Sequence, residues 1–193
     1  MELLDILNNL LNNLLTLLGT WGALLGCIFI LFESIIPILP LSLFITINFI
    51  EFGTILGFII SWFFTVCGCM LSYFIFKKSI KQDYLNKLKQ TKGVNKIINI
   101  IETISFKNLV LILAIPFTPA FAVNIAAGLV KMPTKKYLYA LMLGKISLCY
   151  FWGYIGVGLI ESLTNPRILI KISIILIIVY IISSILAKKL KIK

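Results

Sequence analysis

Residues 54–76, TILGFIISWFFTVCGCMLSYFIF, carry no charged side chain. An uninterrupted apolar stretch of about 20 residues is long enough to cross a bilayer as a helix. Residues 137–160 and 168–187 form two further long apolar stretches. The chain of 193 residues is 60% hydrophobic, above the roughly 45–50% of soluble domains, so apolar surface on this scale has to face lipid. The sequence therefore predicts an all-α, polytopic integral membrane protein without a second, soluble domain.

The formal net charge of +11 fits this class. Lysines gather between the apolar segments and at the C-terminus, as cytoplasmic loops require; nucleic acid is not an expected partner. The loop 77–107 holds eight Lys against Asp83 and Glu102 and is expected in the cytoplasm. Lys77, Lys78 and Lys81 would set topology and touch anionic lipid. Within the loop, VNKIINIIETI has the pattern of an amphipathic surface helix. Residues 1–18 have the same character: Leu and Ile line one face, while Asp5, Asn8, Asn9, Asn12, Asn13 and Thr16 fill the other, which predicts an interfacial helix. Residues 19–187 then form one membrane domain, and 188–193 a basic tail. Cys27, Cys67, Cys69 and Cys149 lie in apolar segments, and the chain has no histidine. They read as small packed residues, and neither a metal nor a cofactor is expected.

Two apolar segments are interrupted. FESIIPILPLSLFITIN places Glu33, Pro37 and Pro40 ahead of Asn48; LAIPFTPAFAVNIAAGL places Pro116 and Pro119 ahead of Asn124 and Gly128. Each runs through P-x-x-P to an Asn and then into a full apolar span rich in small residues: Gly57, Ser61, Gly68 and Ser72 in one, Gly144, Ser147, Gly153 and Gly156 in the other. With 77–107 inside, span 54–76 runs inward, 137–160 outward and 168–187 inward again. KMPTKK and KKLKIK then fall in the cytoplasm. This works only if the second interrupted segment enters and leaves on one side. The expectation is two re-entrant hairpins of opposite orientation, about 34–50 and 108–128, in an inverted-topology repeat of the kind transporters use. Proline breaks the helix so that the chain turns back, and the break makes a polar cavity that tolerates a carboxylate. On a lone helix such a charge costs roughly 2.5–3.5 kcal/mol.

FESIIPILPLS, LAIPFTPAFAVNIAAGL, the basic loop between them and WGYIGVG resemble the DedA/VTT superfamily, also called SNARE-associated Golgi proteins, over about residues 20–160. The resemblance is closest to small bacterial VTT-domain proteins. It implies a bacterial plasma-membrane protein with paired re-entrant helices, and a role in lipid scrambling, undecaprenyl phosphate recycling, membrane homeostasis or proton-motive force. Glu33, Pro37 and Pro40 match the family's first motif; Pro116, Pro119, Asn124 and Gly128 match the second. The family's Arg three residues before the second motif's first proline is Leu113 here, and its second acid has no match at Leu41 or Ser42.

The substrate or proton pathway is thus expected at Glu33, Pro37, Pro40, Asn48, Pro116, Pro119, Asn124, Gly128 and Lys145. Glu33 reads either as a protonatable coupling group or as a carboxylate at the membrane boundary. Asn48 and Asn124 would hydrogen-bond a headgroup or cap a hairpin helix. Lys145 would snorkel to the cytoplasmic face or line the cavity; Trp62 and Trp152 would pack or anchor. The expected function is lipid translocation between leaflets, with membrane lipids and protons as partners. A proton-coupled small-solute carrier and a non-transporting membrane organiser are the alternatives. Without histidine, a partnered cysteine or paired carboxylates, enzymatic chemistry is not expected.

Overall fold

The computed structural model describes residues 22, 25–35, 40–79, 92–117 and 120–189, and among them every regular element is an α-helix. The expected N-terminal amphipathic helix, Pro37, Pro119 and Lys81 lie outside the described residues.

Helix α1 covers 25–33. Helix α2, Leu41–Glu51, starts directly after Pro40, whose backbone is extended at φ −73° and ψ 107°. Only Phe52 separates α2 from α3, Gly53–Ser79. That corner depends on Gly53, at φ 75°, in a region where a side chain is strained. Lys77 and Lys78 occupy the last turn of α3, where cations complement the exposed carbonyls.

Helix α4, Lys92–Thr103, is the amphipathic helix anticipated in the basic loop. Ile98 and Ile101 are buried while Asn99 and Glu102 face out, and the helix lies on α6. Helix α5, Phe106–Ala114, is capped by Ser105, whose Oγ accepts from the Asn108 N–H at 3.3 Å. It stops two residues before Pro116, as the steric demand of proline on its predecessor requires. Helix α6, Ala120–Leu129, ends in a reverse turn in which the Met132 and Lys131 N–H groups donate to the Ala127 and Gly128 carbonyls, with Lys131 at φ 51°. Glycine usually takes that place.

Helix α7, Thr134–Glu161, is the centre of the molecule and packs on α2, α3, α5 and α8. Helix α8, Pro166–Lys189, packs on α7 and leaves most of its Ile and Leu side chains exposed. Helices α3, α7 and α8 each contain a stretch long and apolar enough to cross a membrane: Gly53–Lys78, Thr134–Glu161 and Pro166–Leu186. A bilayer accounts for their outward apolar faces, which water could not.

The buried apolar residues form two main clusters. Tyr73, Leu109, Ile112, Leu113, Ala127 and Tyr137 join α3, α5, α6 and α7; Ile30, Phe44, Ile45, Phe49 and Leu148 join α1, α2 and α7. Trp62 packs against both and donates from Nε1 to the Met142 carbonyl at 2.9 Å. Trp152 stacks edge-on against Phe117. Both tryptophans are therefore packing residues.

Small residues set the helix spacing. A Cβ on Gly68 would come within 2.7 Å of Ser34 Oγ, and one on Gly144 within 2.7 Å of Leu113 Cβ. Ser61 and Ser72 are buried as the small-residue pattern requires. Ser147 is not: it faces outward, and the α7 contact face runs through Gly144 and Gly153.

Candidate functional site

Two interrupted helices meet in the interior. In the first, α1 runs back against α2: Phe29 stacks on Phe44 at 5.1 Å, and a Cβ on Gly26 would lie 3.3 Å from Asn48 Oδ1. The second is α5, the turn at Pro116 and α6. Among the described residues a hydrogen bond joins them, from Asn124 Nδ2 on α6 to the Ser34 carbonyl at the end of α1, 3.3 Å long.

Asn124 is fully buried and satisfied on both sides, because the Tyr137 hydroxyl donates to its Oδ1 at 2.6 Å. Tyr137 stacks on Tyr73 with centroids 4.8 Å apart. The Tyr73 hydroxyl donates to the Met132 carbonyl at 2.6 Å and accepts from Lys77 Nζ at 2.7 Å, and Lys77 also reaches Thr134 Oγ1 at 3.0 Å. A polar line thus runs from the basic end of α3 to the end of α1. Lys77 is part of this internal knot, more than the topology marker the sequence suggested.

A second line starts at Asn48, also fully buried. Its Nδ2 donates to Ser61 Oγ at 3.0 Å. Thr65 Oγ1 donates to the Ser61 carbonyl at 2.6 Å, and the Cys149 thiol lies 3.7 Å from Thr65 Oγ1. Asn48 Oδ1 has no hydrogen-bond partner; the Cys27 thiol beside it is too weak a donor to replace one. Neither Asn48 nor Asn124 caps a helix. Both tie helices together from mid-helix positions, where no headgroup reaches them in this conformation.

The two lines correspond. Asn48 and Ser61 are 13 residues apart, as are Asn124 and Tyr137. The spacing from Asn48 to Gly68 repeats from Asn124 to Gly144, and each of these glycines receives the end of the short helix ahead of the break.

Lys145, the residue after Gly144, departs from expectation most. It does not snorkel. It is 0% exposed, and Nζ has no hydrogen-bond partner. The reason is the central place of α7: helices on several sides enclose this face and leave the side chain no route to the surface. A buried amine costs several kcal/mol unless paired and hydrogen-bonded. Glu33 and Cys149 lie within its electrostatic reach. Glu33 is half-buried at the end of α1, beside Ser34. The first break therefore carries a carboxylate, and a buried amine without a hydrogen-bond partner follows Gly144 on α7.

The remaining expected site residues sit as follows. Pro40 is exposed at the start of α2, and Pro116 is half-buried in the turn after α5. Gly128 is a packing position, where a Cβ would come within 2.7 Å of the Tyr73 carbonyl. Cys67 is half-buried and Cys69 buried, with Cys69 Sγ 3.9 Å from Ser34 Oγ. Sequence reasoning did not single out Ser34, Thr65, Tyr73 and Tyr137. For Tyr137 a signal existed: it stands as far from Asn124 as Ser61 does from Asn48.

These features define a polytopic helical membrane protein whose two proline-interrupted segments meet through buried polar side chains. Residues 36–158 match the VTT domain, and the chain belongs to that family, the DedA family. It is also similar to a Bacillus subtilis (strain 168) protein named Uncharacterized membrane protein YhjE. The two are 31% identical over 162 residues, covering 83% of this chain and 78% of the relative. No solved structure matches the chain.

Proposed function

We propose that this protein moves membrane lipids between the leaflets of the bacterial plasma membrane. In this reading the two interrupted segments are re-entrant hairpins of opposite orientation, each followed by a span, in an inverted-topology repeat. The 13-residue Asn spacing that recurs in both halves, the matched glycine contacts and the charge bias of the loops all support it. The observation that carries the function is the meeting of the breaks. The Ser34 carbonyl is bonded to Asn124, with Glu33 and the unpartnered Lys145 in electrostatic reach of each other. Ionisable groups in a membrane interior mark substrate or ion pathways, and irregular backbone at membrane depth belongs beside protein or a wet cavity. A headgroup would pass along the polar seam between the hairpins while its tails stay in lipid. Glu33 supplies the polar, proton-exchanging element. The protein acts by binding and conformational change, with lipids and protons as partners, and no covalent step.

The test is a leaflet-exchange assay. Purified protein is reconstituted in liposomes carrying tail-labelled phospholipid, and the outer leaflet is quenched chemically. Wild type is expected to let the quencher consume the inner pool of sealed vesicles, and Glu33→Gln to slow that loss by on the order of tenfold, the rate equivalent of one charged hydrogen bond. Wild-type vesicles that protect their inner leaflet as empty ones do would refute the proposal.

A further inference from the structure

The proposed translocation says nothing of which headgroups pass, and the placement of Lys145 bears on that. Three buried polar side-chain atoms among the described residues have no hydrogen-bond partner: Asn48 Oδ1, Ser72 Oγ and Lys145 Nζ. Of these only Lys145 carries charge. Its counterpart in the other half, by spacing from the repeated Asn, is Cys69, whose thiol lies against Ser34 at the first break. Lys145 follows Gly144, which is pressed against Leu113 and Val110 at the end of α5. The breaks are thus similar in packing and unlike in charge. Glu33 stands at the first break, and Lys145 is one residue beyond the glycine that packs on the helix leading to the second. They attract each other across the interior, yet Nζ remains without a hydrogen-bond partner.

An amine in this state favours any anion that brings oxygen acceptors to it. Glu33 carries the opposite charge but gives the amine no hydrogen bond. A headgroup with net negative charge gains Lys145 and repels only Glu33. A zwitterionic headgroup brings its own ammonium, which competes with Lys145 for the same phosphate. From this we infer that Lys145 is a specificity-determining residue that makes translocation selective for phospholipids with net-anionic headgroups, with Glu33 as its resting counter-charge. The inference rests on the translocation reading above.

The experiment compares tail-labelled phosphatidylglycerol with tail-labelled phosphatidylcholine in the same proteoliposomes. Wild type should exchange phosphatidylglycerol on the order of tenfold faster, as one charge-assisted contact allows. Lys145→Met should bring the ratio to near one, and Lys145→Arg should keep the preference. Thermal unfolding in detergent provides a readout that needs no transport. Short-chain phosphatidylglycerol should stabilise wild type and Lys145→Arg but not Lys145→Gln, and inorganic phosphate should stabilise none of them. Wild-type exchange without headgroup preference, or an undiminished preference in Lys145→Met, would overturn the inference and leave translocation standing. Stabilisation by inorganic phosphate would assign the amine to a soluble anion and overturn it as well. Exchange of neither lipid would remove the translocation reading itself.

Discussion

Gly57→Ala is expected to cost the protein more stability than any other single-methyl addition to α3. Helix propensity alone argues the reverse, since alanine is favoured over glycine by about 1 kcal/mol within a helix. Packing decides the sign. A Cβ at Gly57 would overlap the Asn48 carbonyl and sit 2.7 Å from Phe49 Cα. Both obstacles are backbone, so no rotamer change relieves them. Helix α2 must move off α3, and the Asn48–Ser61 hydrogen bond and the buried Phe49 contacts move with it. Overpacking of this kind costs roughly 1–3 kcal/mol in well-packed cores; a one-residue link between the two helices leaves little slack for less. In a membrane, where close packing rather than water exclusion holds helices together, the gain of about 1 kcal/mol in helix propensity offsets only part of the loss. Gly53→Ala is the matched control. It meets no atom within 4 Å but sits at φ 75°, so its expected cost is conformational strain alone, about 1–2 kcal/mol. Thermal unfolding of the detergent-purified variants should rank wild type first, Gly53→Ala second and Gly57→Ala last, with Gly57→Ala also reduced in folded yield. A Gly57→Ala protein as stable as wild type would mean that α2 and α3 are not in the contact described.

Hydrophobic run length and periodicity carried most of the helical layout. The apolar runs at 54–76, 137–160 and 168–187 became α3, α7 and α8 with ends moved by a few residues, because lipid-spanning length and flanking lysines are local properties. Pro40 and Pro116 stand at helix ends for the same reason. What stayed hidden was set by neighbours. Position 145 reads as a snorkelling lysine on an isolated helix; only the crowding of other helices around α7 makes it a buried one. Ser147 failed in the opposite sense, as a small residue that faces outward. The prolines suggest a pairing of the two interrupted segments, but the spacing from proline to asparagine differs between them. Aligned on Asn48 and Asn124 instead, the partners Ser61 and Tyr137 fall into register, as do Gly68 and Gly144. Extra residues are absorbed where the chain turns, while contacts between long helices hold their spacing.

That correspondence leads to an expected asymmetry between two residues the sequence treats alike. Asn124→Leu strands two buried groups, the Tyr137 hydroxyl and the Ser34 carbonyl, each costing about 1–3 kcal/mol when left unsatisfied. Leucine's greater apolar contact offsets part of this. Hydrogen bonds between membrane helices average only roughly 0.6 kcal/mol when both partners can find alternatives. Among the described residues the donor to the Ser34 carbonyl is the Asn124 amide. A net loss of about 2 kcal/mol follows for Asn124→Leu. Asn48→Leu strands only Ser61 Oγ, which a serine in a helix can turn back onto its own preceding turn, and it removes an acceptor that has no partner. Its expected cost is within about 1 kcal/mol of zero. A double-mutant cycle of Asn124→Leu with Tyr137→Phe should then be strongly non-additive, because the phenylalanine removes the hydroxyl that leucine would strand. The same cycle of Asn48→Leu with Ser61→Ala should show little coupling. Equal losses from the two asparagine substitutions would instead make both of them interchangeable packing residues, and Asn124 would no longer be the bond that holds the two breaks together.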